Sequence, residues 1–193
     1  MIVALLLSCS LNPGLKAQKL MDDAKEVAEQ AATPDLACDA NVKVPAPVGC
    51  RSGVLKCGDL IESTTVGGES HWDDDFYAQK FCFPAGSGHS APERVFSMDM
   101  PEYTQVTIQL QTDCKDLDLV ALSWVYEGDC PGPSHTIFGC EGSNKRGWDK
   151  LVIQNFQARS YLIGVDGKGS DAGPFRLKVT CDHILRPEER VKF

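Results

Sequence analysis

The stretch from Thr112 to Tyr126, TDCKDLDLVALSWVY, narrows the fold more than any other part of the chain. Its opening alternates a cysteine with two carboxylates, Cys114, Asp116 and Asp118. Beyond them it is apolar on both faces, with Val120, Leu122 and Trp124 on one and Leu117, Leu119 and Ala121 on the other. Strand side chains point alternately to opposite faces, so such a strand is covered on both sides and lies centrally in a sheet. Its polar opening falls at a rim, where water, a partner group or a cation can satisfy the carboxylates.

Short alternating segments accompany it, at 54–62, 76–83, 93–99, 103–111, 117–126, 135–140, 149–156, 159–166 and 174–181, divided by Gly, Pro, Asp and Ser clusters. Val106, Ile108 and Leu110 share a face, as do Tyr161, Ile163 and Val165, and Phe175, Leu177 and Val179. No long helical pattern interrupts them. This spacing predicts an all-β fold, an antiparallel β-sandwich of jelly-roll type over 54–181. Residues 9–53 read as a tether. Its helix formers at 15–32 carry a narrow apolar stripe (Leu20, Ala24, Val27, Ala28, Ala31), and an extended run with Pro34, Pro45, Pro47 and Gly49 follows. Residues 182–193 form a charged tail.

Nine cysteines fix the compartment. Apart from Cys9 there are eight, Cys38, Cys50, Cys57, Cys82, Cys114, Cys130, Cys140 and Cys181, widely spread and without a C-x-x-C. That pattern is a disulfide framework of an exported protein rather than a zinc site. A net charge of -8 lacks the basic footprint that nucleic acid requires.

The apolar run Met1–Leu7 is far shorter than the ~20 residues of a membrane span and is similar to the end of a secretory signal. Leu6-Leu7-Ser8-Cys9 resembles a bacterial lipobox. The resemblance implies a signal peptide over 1–8, diacylation of Cys9, and a membrane anchor. Ser10 after the cysteine implies the outer membrane, facing the periplasm or the cell surface. An ordinary cleaved or misassigned N-terminus is the alternative.

Cys57-Gly58-Asp59, Glu93-Arg94-Val95-Phe96, Asp116-Leu117-Asp118-Leu119, Tyr161-Leu162-Ile163-Gly164-Val165-Asp166-Gly167 and Gly173-Pro174-Phe175-Arg176-Leu177-Lys178-Val179 occur in that order. Together they resemble the bacterial pre-peptidase C-terminal domain, in the cysteine-rich form carried by deltaproteobacterial, myxobacterial-type lipoproteins. The resemblance implies a jelly-roll β-sandwich, commonly attached to secreted peptidases, that aids secretion or binds substrate. On the strand reading Cys130 and Cys140 bracket one loop and pair. Cys57 then pairs with Cys82, Cys38 with Cys50 in the tether, and Cys114 with Cys181 by elimination; other connectivities stay open.

Asp116 and Asp118 leave one strand face about 6.5–7 Å apart. With Asp113, Asp166 and Asp171 they are candidate calcium ligands, the one cofactor considered. The other reading has Asp118 accept backbone N–H bonds from a neighbouring turn. Trp72, Asp73, Asp74, Asp75 and Tyr77 form a candidate binding loop; alternatively Phe76 and Tyr77 enter a strand while Trp72 lids the sandwich edge. No catalytic motif stands in its structural context. Gly86-Ser87-Gly88-His89-Ser90 superficially resembles a nucleophile elbow but lies in a Pro/Gly loop. The expectation is a non-enzymatic, lipid-anchored envelope protein whose sandwich binds a protein or glycan. An accessory subunit of a separately encoded hydrolase, or a purely structural surface protein, are the alternatives.

Overall fold

The computed structural model describes residues 35–38, 42, 44, 47–80, 82–83, 86–126, 128, 130–132, 135, 140–143, 147–186 and 189, with helical residues between 17 and 28. The chain divides into a unit of Met1–Asp35 and a compact unit of Leu36–Phe193. The folded module thus begins upstream of residue 54, and segment 36–53, read from sequence as tether, belongs to it.

Its strands are β1 (Arg51–Val54), β2 (Leu60–Thr64), β3 (Arg94–Met100), β4 (Thr104–Gln111), β5 (Leu117–Ser123), β6 (Cys140–Ser143), β7 (Trp148–Asn155), β8 (Arg159–Gly167) and β9 (Pro174–His183). One sheet runs β2-β9-β4-β7 and the other β1-β3-β8-β5-β6. Without β1, the eight remaining strands wind as two Greek keys shared between two sheets, which is a jelly roll. All their pairings are antiparallel, whereas β1 adds parallel to the β3 edge.

The first expected strand, 54–62, is two strands broken at Cys57-Gly58-Asp59. Asp59 accepts the Lys56 N–H at 2.7 Å, and Gly58 turns the chain at φ +89°. β5 is buried along its whole length, as its two apolar faces require. Leu117, Leu119 and Ala121 face the main core between the sheets, with Phe96, Ile108 and Phe175. Val120, Leu122 and Trp124 face outward beneath a second cluster of Trp72, Phe76, Tyr77 and Phe83.

That cover contains a correction. The alternation at 76–83 reads as a strand, but Asp74–Lys80 is a helix, α1. Asp73 Oδ1 accepts the Phe76 N–H at 2.8 Å, an N-cap that satisfies an otherwise unpaired helix donor. Acidic Asp74 and Asp75 in the first turn and Lys80 in the last complement the helix dipole. Trp72 stacks on Phe76 at 5.4 Å and lies against the sheet over Gly164, where an added Cβ would stand 2.4 Å from its ring.

The cysteines pair differently from the sequence reading. The bridges are Cys38–Cys114, Cys50–Cys130 and Cys57–Cys181, and Cys82 is also disulfide-bonded. None of the expected pairs Cys38–Cys50, Cys57–Cys82, Cys114–Cys181 or Cys130–Cys140 forms. Linear order favours short loops, whereas the jelly-roll winding brings together sites 76 to 124 residues apart. Two of the bridges staple segment 36–50 to the sandwich. Cys9 and the Cys140 side chain lie outside what the structure describes. Beyond β9 the charged tail begins by packing: Ile184 donates to the Tyr103 carbonyl at 2.7 Å, and Arg186 lies over the Tyr103 ring at 4.9 Å.

Candidate functional site

The outer face of the five-stranded sheet carries chemistry at both ends, with the aromatic cover of α1 between them. At one end, Asp118 on β5 and Asp166 on β8 are register partners, and neither side chain is exposed. Directly opposed Cβ atoms lie about 4.5–5.5 Å apart, where two buried like charges repel strongly. The structure answers in two ways. His89 Nε2 lies 2.8 Å and Lys168 Nζ 3.1 Å from Asp118 Oδ2, which sets an imidazole and an ammonium group beside that carboxylate. Asp166 goes the other way. Burial raises its pKa to about 8, aided by the Glu93 and Asp118 charges, while the hydrogen bonds from Tyr77 Oη (2.7 Å) and the Gly167 N–H oppose the rise. Asp118 Oδ1 is buried and has no hydrogen-bond partner among the described residues.

Around this pair, Glu93 accepts the His71 N–H at 2.9 Å, and burial pushes its carboxyl upward. Phe83 stacks on His89 at 4.4 Å and Tyr77 meets the same ring edge-on at 4.9 Å. Ser87 Oγ lies 2.9 Å from His89 Nδ1. Asp74 accepts the N–H groups of Gly88 and His89 at 2.9 and 2.8 Å. Burial tends to raise the Asp74 pKa, but these backbone donors outweigh it and hold the carboxyl below its ordinary value.

The aspartates expected as one calcium set are divided. Asp113 accepts from the Leu36 N–H and Gln111 Nε2, at 2.9 and 2.8 Å, and so anchors the Cys38 segment. Asp171 accepts the Asp116 N–H at 3.2 Å and faces Lys115 Nζ at 3.4 Å, while Asp116 lies 3.8 Å from Lys168 Nζ. Among the described residues, no group of three or more His, Cys, Asp or Glu side chains is arranged to hold a metal ion. The candidate binding loop is likewise redistributed. Trp72 and Tyr77 are 1% and 0% exposed and belong to the sheet cover, Asp73 caps α1, Asp74 holds the 88–89 backbone, and Asp75 alone points to solvent without a role in the cluster.

The opposite end of the face is open. Where β3 ends, β8 begins and β5 leaves the sheet, a cleft of about 620 Å³ is lined by Asp99, Met100, Trp124, Val125, Arg159 and Ser160. It continues into a recess of about 400 Å³ that adds Arg51, Ser97 and Tyr126. Register fixes the rim: Asp99 stands opposite Ser160 and accepts its hydroxyl at 2.6 Å, and the Trp124 N–H bonds the Ser160 carbonyl at 2.9 Å. Trp124 is braced by Tyr126 and His135, with ring centroids at 5.0 and 5.3 Å. Sequence reasoning missed this groove, because its residues come from segments up to 109 positions apart, from Arg51 to Ser160. Trp124 was legible only as an outward residue near the end of the segment expected at 117–126, one position past β5.

Fold and site together define a disulfide-stapled jelly-roll sandwich of an exported protein, with one covered and one open end on its outer face. No protein-family model matches the chain. No curated protein matches it. Among solved structures it is similar to the pre-peptidase C-terminal domain of a collagenase from Bacillus anthracis, the family its sequence motifs resemble, at 11% identity and a TM-score of 0.41 over 72% of this chain and all of that one. A periplasmic inhibitor of g-type lysozyme from Aeromonas hydrophila matches at 11% identity and 0.42, covering 71% of this chain and 100% of its own. A surface-associated copper-binding protein of Methylomicrobium album BG8 matches at 12% and 0.43, over 69% and 100%. At these distances the likenesses carry no function, and the jelly roll rests on the strand order itself.

Proposed function

We propose that the protein is an exported binding module whose open groove takes a glycan. The observation that carries this reading is the composition of the groove: Trp124 and Tyr126 rings beside the Asp99 carboxylate, the Ser97 and Ser160 hydroxyls and the Arg51 and Arg159 guanidinium groups. Aromatic rings offer a rigid apolar surface to the C–H face of a sugar, while a carboxylate and hydroxyls exchange hydrogen bonds with its hydroxyls. The two arginines add the means to grip a carboxylate on the sugar. Calorimetric titration with soluble peptidoglycan fragments, which carry N-acetylated sugars and carboxylates, tests it. Asp99→Ala, on the exposed rim, and Tyr126→Ala, which also removes a ring bracing Trp124, are expected to weaken binding at least tenfold. Equal affinity in both variants, or no heat from the native protein, would sink the reading.

A diacylated Cys9 would hold this module at the outer membrane, a reading supported by the Leu6–Cys9 spacing. Two acyl chains give stable anchoring where one does not. Cys9→Ala is expected to move the protein from the membrane fraction to the soluble one; unchanged fractionation rejects the anchor.

A further inference from the structure

Ser87, His89 and Asp118 form a continuous hydrogen-bonded line, Oγ to Nδ1 at 2.9 Å and Nε2 to Oδ2 at 2.8 Å. The His89 and Asp118 side chains are fully buried, whereas Ser87 is partly exposed. We propose that this line makes Ser87 a nucleophile towards activated esters, an acyl-accepting site separate from the glycan groove.

Three features beyond the line support the assignment. The first is position. Ser87 stands between Gly86 and Gly88, both left-handed at φ +77° and +92°, and an added Cβ at either glycine would meet nothing within 4 Å. Backbone conformation alone requires these glycines, and it sets the hydroxyl on a sharp turn above the buried ring. The second is orientation. Phe83 stacked on His89 and Tyr77 at its edge hold the imidazole in one plane. An Nε2 proton donated to Asp118 would leave Nδ1 to accept from Ser87, the logic of a serine triad with the ring nitrogens exchanged. The third is a ready anion cradle. The N–H groups of Gly88, which follows the serine, and His89 converge on one Asp74 carboxylate oxygen at 2.9 and 2.8 Å. Two donors that hold a carboxylate oxygen can hold the oxyanion of a tetrahedral intermediate.

In the reaction Ser87 Oγ attacks the ester carbonyl carbon, and its proton passes to His89 Nδ1. The oxyanion displaces the Asp74 carboxylate from the Gly88 and His89 N–H groups. Collapse breaks the bond to the leaving oxygen, which takes the proton from Nδ1, and Ser87 is left as an O-acyl ester. Water attack with the same proton route releases the acid. Asp74 is thus a built-in competitor: it occupies the cradle and lies 3.2 Å from the serine hydroxyl, for which it competes with His89. The sequence shows the serine and histidine but not the acid, which lies 29 residues beyond His89.

Labelling of the oxidised, full chain with a fluorophosphonate, read by intact mass and peptide mapping, tests the proposal. The expected result is one phosphonyl group per chain, on Ser87, absent in Ser87→Ala and attached about tenfold faster in Asp74→Asn. His89→Gln should slow labelling at least tenfold, and a near-ultraviolet dichroism spectrum matching the native protein excludes unfolding as the cause. Native protein should also release a burst of nitrophenolate from p-nitrophenyl acetate that Ser87→Ala lacks. No label on Ser87 in either the native protein or Asp74→Asn overturns the proposal. So does Ser87 labelling at the same rate in a folded His89→Gln, since the serine would then act without the relay.

Discussion

Removing the Cys57–Cys181 bridge by a double serine substitution is expected to lower stability by about 2–4 kcal/mol, the usual effect of a bridge closing a long loop. For a module of this size that corresponds to a fall in Tm of roughly 5–15 °C. The bridge spans 124 residues and ties the β1–β2 turn to β9, so its loss frees both ends of the jelly roll in the unfolded chain at once. Full reduction goes further. Three long-range bridges and that of Cys82 contribute, in sum, an amount comparable with the net stability of a typical domain. The reduced protein is therefore expected to be unfolded at 37 °C. Thermal melts followed by circular dichroism, with and without reductant, check both statements. A reduced protein that still melts cooperatively within a few degrees of the oxidised one would show that the sandwich core suffices alone.

Asp166→Asn is expected to remove a loss of stability that the native protein suffers as pH rises from about 4 to 8. The folded carboxyl has its pKa raised from 3.8 to about 8, so over that interval the folded state binds a proton that the unfolded state has released. Stability from this group is fully present at low pH and is lost as pH rises through the window. The linkage limit for that shift is roughly 6 kcal/mol, and coupling to the Glu93 and Asp118 charges makes it an upper bound. Asparagine keeps a neutral side chain at every pH. The variant's denaturation midpoint relative to the native protein should rise steadily from about pH 4 to 8, with the difference level above that. Parallel stability curves across pH 5 to 9 would mean that Asp166 is ionised in the folded protein. Asp74 acts in the opposite sense, since its lowered pKa contributes stability that disappears as pH falls below the ordinary carboxylate range.

Much of the sandwich was legible because strand periodicity is local. The segments expected at 93–99, 103–111, 117–126, 149–156, 159–166 and 174–181 correspond to β3, β4, β5, β7, β8 and β9 with small shifts at their ends. The doubly apolar β5 is covered on both faces, by the inter-sheet core and by the α1 aromatics. What failed was of two kinds. At 76–83 alternation outweighed a capping signal that was present, since Asp73 followed by Asp74 and Asp75 marks a helix start. The disulfide partners, the groove and the acid behind His89 depend on which distant strands become neighbours, and spacing along the chain does not encode that. Asp118 shows the division well. Its place on the outward face of β5 could be read directly, but not its opposition to Asp166, nor its contacts with His89 and Lys168.

The claim that the open end of the sheet is the binding surface is tested most directly by nuclear magnetic resonance. Titration of the isotopically labelled, oxidised protein with soluble peptidoglycan fragments should shift the Trp124 indole N–H and the amides of Asp99, Met100, Arg159 and Ser160. The amides of β2 and β9, on the other sheet, should stay in place. Shifts confined to β2 and β9, or to the loop around Ser87 and Asp74, would contradict the account.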